Sequence, residues 1–472
     1  MNIILIVSDT VRFDYCGFSG NTWIKTRNLD RLAEKSAVMT KFYSASFPTG
    51  PMRKDLLSGR FTFPYTAWQG DRSHGEVLMA EALAEAGYDT AFIGDTNNSP
   101  QFRLGFDYEE IIPVTSKFFE EISESQVRLH SELRQCRMPE EGLRKRIRNA
   151  MGWDGDEDQR AARTMRQAAK WLANRRSRYN ILPGTGKQKP FFLYVDTFDP
   201  HEPWDMPQYY TDLYNPGYRG NELKDPAYEP ANYATKAEIE HMRCLYAAKL
   251  TMVDRWVGHL LDAVELSGLA DDTTIIFTSD HGFYLGEHNL IGKVLLDRQD
   301  VICGRWPLYD CIGHPPLLVS LPGETNGRRH SELCQPPDVM PTILDVLDVP
   351  LPPTVQGKSL LPMIRSGEPV RDCAVTSPTY VQDREVCSPT CFRTEERLYV
   401  YGGDEWESEL YNTILDPAEE QNIVDSNQEE AHSLHKKYIE FLEEIGCPDS
   451  SLELRRAFPA RKRDNLPHRK II

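Results

Sequence analysis

The chain lacks several features that mark small or membrane-bound classes of protein. Its ten cysteines include no CxxC pair, so they do not resemble a zinc ribbon or a small disulfide scaffold. There is no internal repeat, no low-complexity tract and no basic segment before the first apolar run, which is only five residues long. A signal peptide or a membrane-spanning helix needs a longer apolar stretch. We therefore expect a cytoplasmic protein with free thiols and no membrane partner.

Positive charge is scarce relative to negative charge. The chain has 54 Lys and Arg against 71 Asp and Glu, a net charge of −17, which disfavours nucleic acid as a partner. An anionic substrate must then be attracted by charges within its own binding site. The 472 residues, 40% hydrophobic and 26% charged, are typical of a globular protein with a large core and a smaller second unit.

Three short apolar runs each lead to residues that bind metals or anions. The first ends before Asp9, the second before Asp199 and His201, and the third before Asp280 and His281. Apolar runs without polar alternation are typical of strands buried on both faces of a parallel sheet. Ligands bind beyond the carboxyl ends of such strands, and carboxylate with imidazole suits a divalent cation. The runs are residues 3–7, 191–195 and 274–277.

A threonine stands at the beginning of a predicted helix. Pro51 suits the first helical position and Gly59 the position after the last one, which predicts a helix over residues 51–58 with Thr49 just before it. The free N–H groups and the dipole of a helix N-terminus favour an anion. We therefore expect an anion to bind beside Thr49.

The rest of the pattern predicts two domains. Residues 1–375 alternate strands and helices, and within them residues 116–188 are charged and helical, which predicts an insertion over the sheet that is partly a lid. Thr235 and Glu238 form a capping box before a long helix that runs to Gly268.

The C-terminal part, residues 376–472, has shorter and more polar predicted strands and a last helix starting near Ser426 and ending at Gly446. It predicts a smaller subdomain with an antiparallel sheet, a helix and a basic tail. We expect the tail, from residue 452, to pack on the acidic body or on a neighbouring subunit of a homo-oligomer. A contact with nucleic acid is the alternative.

An ordered set of motifs resembles the sulfatase family of the alkaline phosphatase superfamily. Each motif is weakly specific alone, but their order along nearly the whole chain is highly specific. The motifs are the run ending at Asp9, TGPMR at 49–53 with LSGR at 57–60, DPHEPW at 199–204, SDHG at 279–282 with GEH at 286–288 and GK at 292–293, DVMPT at 338–342, and ELY at 409–411 with DP at 416–417.

This resemblance implies a fold and a metal site. The fold is α/β, an alkaline phosphatase-like sandwich of a large mixed, mostly parallel sheet between helices, with a smaller C-terminal α+β subdomain. The family pattern implies one divalent metal ion, Mn, Zn, Ca or Mg, held by Asp9, Thr49, Asp280 and His281.

The same pattern implies the catalytic residues. Thr49 occupies the position of the nucleophile, and Arg53 would steady it. His201 and Lys293 would bind the substrate anion and the leaving group, since both neutralise charge that grows on the leaving oxygen.

The nucleophile position departs from the family. Sulfatases carry a Cys, sometimes a Ser, that is converted to formylglycine, whereas this chain has Thr49, with Met52 replacing the family's Ser. Thr cannot yield the aldehyde, so no formylglycine is expected. A sulfated Thr has no second hydroxyl with which to expel sulfate, but phosphorus accepts in-line attack more readily, so water can release a phospho-Thr.

A second departure concerns the substrate pocket. Many sulfatases have Lys-Trp-His where this chain has Asp95, Thr96 and Asn97, which resembles the less cationic pockets of phosphonate monoester hydrolases and phosphodiesterases. Asp95 and Asn97 are therefore candidates for substrate binding, although Asp95 could instead cap a turn. Thr10, where a second Asp is common, is a third candidate. Neighbouring residues without a predicted placement are Asp14, His288 and His314.

The sequence therefore predicts a metal-dependent ester hydrolase that uses Thr49 on phosphodiesters or phosphonate monoesters, with a small anionic ester as its partner. Sulfate ester hydrolysis is the first alternative. A catalytically inactive binding homologue and a phosphoryl transferase are the others.

Overall fold

The computed structural model describes residues 1–68, 75–96, 105–113, 122–175, 189–323, 327–382 and 387–459. The strands in these ranges are β1 (Asn2–Ser8), β2 (Ala37–Met39), β3 (Ser46–Phe47), β4 (Asp89–Gly94), β5 (Tyr108–Ile111), β6 (Phe191–Thr197), β7 (Glu229–Pro230), β8 (Thr273–Thr278), β9 (Tyr284–Leu285), β10 (Leu290–Gly292), β11 (Leu295–Leu296), β12 (Ile302–Gly304), β13 (Leu317–Ser320), β14 (Arg328–His330), β15 (Ala374–Pro378), β16 (Thr390–Arg393), β17 (Arg397–Tyr401) and β18 (Glu409–Asn412). The helices are α1 (Arg27–Ala33), α2 (Thr49–Ser58), α3 (Met79–Glu85), α4 (Glu140–Ala150), α5 (Arg160–Arg175), α6 (Gln208–Thr211), α7 (Lys236–Leu266), α8 (Asp310–Gly313), α9 (Val339–Val346), α10 (Leu361–Ser366), α11 (Gln428–Glu444) and α12 (Asp449–Arg456).

Eight strands build the central sheet, in the order β14-β2-β13-β8-β1-β6-β4-β5. β1 pairs in parallel with both β6 and β8, and β4 pairs in parallel with β5 and β6. β13 runs antiparallel to β2 and β8. The predicted large mixed, mostly parallel sheet is confirmed, and the three apolar runs occupy its centre.

Helices cover both faces of this sheet. Ile4 and Ile6 of β1 belong to a core shared with α1, α5 and α7, whereas Ile3 and Leu5 belong to a second core shared with α2, α3 and α9. Successive side chains of a strand point to opposite faces, so a continuous apolar run is what a sheet covered on both sides requires. The predicted sandwich is therefore confirmed.

Two helix starts follow from local hydrogen bonds. The Thr235 hydroxyl accepts from the Glu238 N–H at 3.3 Å, and the Glu238 carboxylate accepts from the Thr235 N–H at 2.7 Å, so the predicted capping box starts α7. The helix after Thr49 begins two residues earlier than predicted, because the Pro48 carbonyl already accepts a hydrogen bond from the Met52 N–H at 3.1 Å. Thr49 is therefore the first residue of α2 rather than the residue before it.

The predicted insertion contributes α5 to the helical layer beside the sheet. Met165, Ala168 and Leu172 of this helix are buried in the same core as α7. Residues 116–121 and 176–188 lie outside the described residues. The role as a lid and the domain boundary at residue 375 stay predictions.

The C-terminal part forms a second sheet, in the order β18-β17-β16-β15-β3. Its strands pair antiparallel except for β3, which pairs in parallel with β15. α11 packs on it through Leu434 and Tyr438. Of the basic residues predicted to pack on the body, Arg455 is buried with its guanidinium 3.4 Å from the centre of the Tyr380 ring, whereas residues 460–472 lie outside the described ranges.

Within the described ranges, no helix is both long and apolar enough to cross a membrane. α7 is long enough, with 31 residues, but charged residues interrupt its apolar surface.

Candidate active site

Two carboxylates and an imidazole meet at the carboxyl edge of the central sheet. Asp9 follows β1, and Asp280 and His281 follow β8, which is the parallel neighbour of β1. One ligand atom from each of these residues lies within 4.8 Å of the others, and all three side chains are fully buried. The structure thus brings together the three metal ligands that the strand ends predicted.

The imidazole of His281 is oriented as a metal ligand. Its Nδ1 lies 2.8 Å from the Gly282 carbonyl oxygen, a contact that assigns the ring hydrogen to Nδ1 and leaves a lone pair on Nε2. Burial lowers the pKa of His281 to about 3, so the ring is neutral near pH 7. Nε2 lies 3.6 Å from Asp280 Oδ2 and faces the two carboxylates.

The two carboxylates suit a divalent cation between them. Burial and the charge of Asp280 raise the pKa of Asp9 well above its ordinary value. No donor among the described residues hydrogen-bonds Asp9 Oδ2, although the atom is buried. Buried polar atoms of this kind are normally paired with a donor, a water or an ion. The donor set therefore fits a metal ion, which Asp9, Asp280 and His281 would hold.

Thr49 lies directly beside this cluster. It is the first residue of α2, its side chain is 2% exposed, and its Oγ1 lies 3.4 Å from His281 Nε2. The hydroxyl is thus placed between a helix N-terminus and the predicted metal ligands, where developing negative charge is stabilised.

Arg53, one turn further along α2, links Thr49 to the carboxylates. Its Nη1 donates to the Thr49 carbonyl oxygen at 3.2 Å and to Asp280 Oδ2 at 2.7 Å. The same atom lies 3.4 Å from Asp9 Oδ2. Burial alone would raise the pKa of Asp280, but the charges of His281, Arg53 and Lys293 hold it well below its usual range.

Asp196 is a residue of the candidate site that the sequence analysis did not predict. It lies near the end of β6 and accepts two hydrogen bonds from Arg53, at 2.7 Å from Nε and 2.9 Å from Nη2. The hydroxyls of Tyr194 and Thr96 also donate to it, at 3.0 and 2.7 Å. The sequence did contain a signal for Asp196. It directly follows the apolar run 191–195, just as Asp9 comes after the apolar run 3–7, and the strands formed by these two runs pair with each other.

Asp199, the residue considered instead, has a structural role. Its Oδ2 accepts a hydrogen bond from the Ala161 N–H at 3.1 Å, at the start of α5. Its Oδ1 lies 3.1 Å from Nζ of Lys249 on α7. Asp199 therefore joins α5 and α7, two of the helices that cover the sheet.

Lys293 and Thr10 border the predicted metal site. The Thr10 hydroxyl donates to Asp9 Oδ1 at 2.6 Å, and Lys293 Nζ donates to the Thr10 hydroxyl at 3.2 Å. The Thr10 N–H donates to Asp280 Oδ1 at 2.9 Å. Burial lowers the pKa of Lys293, which makes its proton easier to give up. Thr10 thus orients both carboxylates, whichever part it has in substrate binding.

His201 lies at the same edge, in the loop after β6. Its ring stacks on Phe198 with 3.9 Å between the ring centres, and burial lowers its pKa to about 4. Lys293 contributes to this lowering through its charge, so the two cationic candidates of the sequence analysis lie within electrostatic reach of each other.

The structure places Asp95 in a hydrogen-bonding role inside the fold. Its carboxylate accepts from the hydroxyls of Thr164 and Thr197, at 2.7 and 2.9 Å, and from the Phe198 N–H at 2.7 Å. These contacts favour the alternative in which Asp95 holds a turn rather than binds substrate. Asn97 lies outside the described residues.

Three residues without a predicted placement line a different groove, of about 1030 Å³. Asp14 pairs with Arg12 at 2.6 Å. The His288 ring stacks on Tyr309, and the His314 ring stacks on Phe13. Their contacts hold loops in place and give them no part in the metal site.

The sequence model of the sulfatase family matches residues 1–349, about three quarters of the chain. The chain belongs to the sulfatase family. A second model, for the C-terminal region of N-sulphoglucosamine sulphohydrolase, matches residues 304–445. As a member of this family, within the alkaline phosphatase superfamily, the protein is an ester hydrolase.

Relatives of this sulfatase-family protein fall into two groups by name. An arylsulfatase of Clostridium perfringens is 23% identical, over 94% of this chain and 93% of that protein. The multifunctional alkaline phosphatase superfamily protein PehA of Trinickia caryophylli is 26% identical, over 78% of each. Among solved structures, the phosphonate monoester hydrolase of Agrobacterium radiobacter has a TM-score of 0.69 and 22% identity, and the match covers 94% of this chain and 95% of that one. This likeness confirms the alkaline phosphatase-like fold.

The Arg53–Asp196 pair can be tested by replacing the carboxylate. We expect Asp196→Asn to lower kcat/KM for the best ester substrate at least about 10-fold, because Arg53 loses the anchor that directs Nη1 towards Thr49 and Asp280. Loss of a buried charge partner should also lower the free energy of unfolding by about 3 kcal/mol. Steady-state kinetics and urea denaturation measure the two effects.

A matched control exists in the same fold. Asp338 is also buried and also binds one guanidinium through both oxygens, with Arg371 Nε at 2.6 Å. Asp338→Asn should lower stability to a similar extent while leaving kcat/KM nearly unchanged. If both variants lose only stability, the ion pair between Arg53 and Asp196 does not contribute to catalysis.

The role of Asp95 is tested in the same way. Asp95→Asn replaces one acceptor oxygen by a donor that faces the Thr164 and Thr197 hydroxyls or the Phe198 N–H, so the free energy of unfolding should fall by about 1–3 kcal/mol. KM should stay unchanged, because the carboxylate is fully engaged within the fold. A several-fold rise in KM with an unchanged melting temperature would instead assign Asp95 to substrate binding.

Proposed function

We propose that this protein is a metal-dependent hydrolase of phosphodiesters or phosphonate monoesters in which Thr49 is the nucleophile. The observation that carries the proposal is the position of Thr49 Oγ1, 3.4 Å from His281 Nε2 and at the N-terminus of α2. The Thr49 hydroxyl lies beside the predicted metal ligands, as a nucleophile of this proposed reaction must. A threonine side chain cannot be converted to formylglycine. The predicted metal set is therefore Asp9, Thr49, Asp280 and His281, with Mn, Zn, Ca or Mg as the ion.

The reaction proceeds in two displacements at phosphorus. In the first, the Thr49 hydroxyl loses its proton to solvent, the Oγ1–P bond forms, and the bond from phosphorus to the leaving oxygen breaks. The leaving oxygen takes a proton from His201 or Lys293. In the second, water attacks phosphorus and one of its protons returns to the residue that gave one up. The Oγ1–P bond breaks, and Thr49 Oγ1 regains a proton from solvent, which restores the hydroxyl.

The chain's own residues supply much of the required charge. A divalent cation held by Asp9, Asp280 and His281 would lower the pKa of the Thr49 hydroxyl and would offset negative charge on the ester oxygens. Arg53 holds the Thr49 carbonyl through Nη1 and so fixes the first turn of α2. Lys293, buried and 3.8 Å from Asp9 Oδ1, adds positive charge at the point where an anionic ester must enter.

Two observations support phosphorus over sulfur. A phospho-Thr can be released by attack of water at phosphorus, whereas a sulfated Thr lacks the second hydroxyl that formylglycine uses to expel sulfate. The proteins to which the chain is similar also include one named multifunctional alkaline phosphatase superfamily protein PehA and one named phosphonate monoester hydrolase.

Hydrolysis of sulfate esters is the second candidate. It is favoured by the match to an arylsulfatase over 94% of the chain. An inactive homologue is disfavoured, because the buried charges of Asp9, Arg53, Asp280 and Lys293 cost free energy and a protein without catalysis has no need of them. A transferase would use the same first displacement and pass the phosphoryl group to an alcohol instead of water.

A substrate panel tests this function. Protein loaded with Mn²⁺ or Zn²⁺ should hydrolyse a nitrophenyl phosphodiester or phosphonate monoester, and Thr49→Ala should lower kcat/KM by about 10³-fold or more, because no other group can form the covalent bond. Thr49→Ser, which keeps a hydroxyl at the same position, is the matched control and should retain far more activity. Faster turnover of an aryl sulfate than of every phosphorus ester would contradict the proposed preference for phosphorus esters over sulfate esters.

A further inference from the structure

His201 has a buried carboxylate as its immediate neighbour. Its Nδ1 lies 2.7 Å from the carbonyl oxygen of Glu202 and 3.0 Å from Oε2 of the same residue. The Glu202 side chain is only 2% exposed. One ring N–H cannot point well at both oxygens, so the carbonyl takes the hydrogen bond and the carboxylate acts on the ring through its charge.

The two oxygens of this carboxylate have different surroundings. Oε1 accepts from Arg137 Nη1 at 2.7 Å and from the Tyr228 hydroxyl in a short hydrogen bond. Oε2 is buried and has no hydrogen-bond partner among the described residues, so the imidazole of His201 is its close cationic neighbour when that ring is protonated. The carboxylate is thus anchored at one end and directed at the ring at the other.

These contacts decide which ring nitrogen can act on a substrate. Nδ1 is engaged by Glu202, and the stacking on Phe198 fixes the plane of the ring. Nε2 is therefore the nitrogen left to exchange a proton with a bound ester. To donate that proton the ring must carry two hydrogens, and the resulting imidazolium needs a counter-charge in a buried place.

We propose that Glu202 is a positioning residue for proton transfer: it holds His201 with Nδ1 inward and stabilises the imidazolium that donates from Nε2 to the leaving oxygen. The inference rests on the proposed function, because it assigns the leaving-group step of that reaction. The proton moves from Nε2 to the leaving oxygen as the P–O bond breaks, the ring becomes neutral, and the attacking water of the second displacement restores the proton.

The surrounding charges explain why such a partner is required. Burial lowers the pKa of His201 to about 4, and Lys293 and Arg137 act in the same direction, whereas Glu202 opposes them. Burial alone would raise the pKa of Glu202, but His201, Lys293 and Arg137 hold it below its usual range. Glu202 therefore stays ionised at neutral pH, and its charge is present whenever the ring is protonated.

This arrangement gives the predicted insertion, residues 116–188, a structural role beside His201. Arg137 belongs to residues 116–188, and besides Glu202 it contacts Asp300, with Nε 3.2 Å from Oδ1. Its guanidinium also lies 5.0 Å from the centre of the Tyr228 ring. The segment therefore reaches the catalytic edge of the sheet by fixing the carboxylate behind His201.

The test uses a series of esters that differ only in the leaving alcohol. A proton donor matters most for a poor leaving group, so Glu202→Gln should lower kcat/KM by about 10²-fold for phenyl and methyl esters while the nitrophenyl ester changes by at most about 3-fold. In a His201→Ala background, adding Glu202→Gln should have no further effect, because Glu202 acts through that ring. Metal-loaded full-length protein is used throughout.

The matched control is a second pair of Glu and His, in which the His is buried and the Glu is half-buried. Glu222 lies 3.4 Å from His241 Nε2, and Glu222→Gln should leave the leaving-group series unchanged. Equal losses for all leaving groups in Glu202→Gln, or full additivity with His201→Ala, would overturn the inference but leave the proposed function intact. A wild-type protein without activity on any phosphorus or sulfate ester would contradict both.

Discussion

The rest of the site depends on the ion pairs that the guanidinium of Arg53 makes. The guanidinium is fully buried and lies against three carboxylates, those of Asp9, Asp196 and Asp280. Burying so many charges is tolerable only when each is paired. Counting Lys293 as the second cation, three carboxylates face two cations, which leaves one negative charge. A divalent ion would reverse that sign and give the site an affinity for anions in a protein whose net charge is −17.

The proposed function combines this charge arrangement with a threonine at the position of the nucleophile. Thr49 occupies the first turn of α2, where Arg53 holds its carbonyl oxygen and His281 faces its hydroxyl, so under this proposal the hydroxyl itself attacks and no formylglycine takes part. The proposed covalent intermediate is then released by attack of water at the central atom, which phosphorus permits more readily than sulfur.

The sequence predicted those parts of the molecule that depend on local patterns. The rule that ligands gather at the carboxyl ends of buried strands pointed to Asp9, Asp280 and His281, which the structure brings within 4.8 Å of one another. The motif order pointed to Thr49, Arg53, His201 and Lys293, whose catalytic roles stay predictions. Asp196 was missed because the motif that begins three residues later, at Asp199, drew attention away from it. Glu202 and Arg137 could not be paired from the sequence, since 65 residues separate them and no periodicity relates them. The two-residue strand β3 is likewise too short to show a pattern, and its pairing with β15 arises only in the tertiary fold.

The stereochemical course at phosphorus tests the covalent role of Thr49 most directly. A chiral phosphodiester, labelled with oxygen isotopes and sulfur at phosphorus, is hydrolysed by the metal-loaded protein and the configuration of the product is determined. Two successive in-line displacements each invert the centre, so a phospho-Thr49 intermediate predicts net retention. Net inversion would show that water attacks the ester directly and would contradict the account.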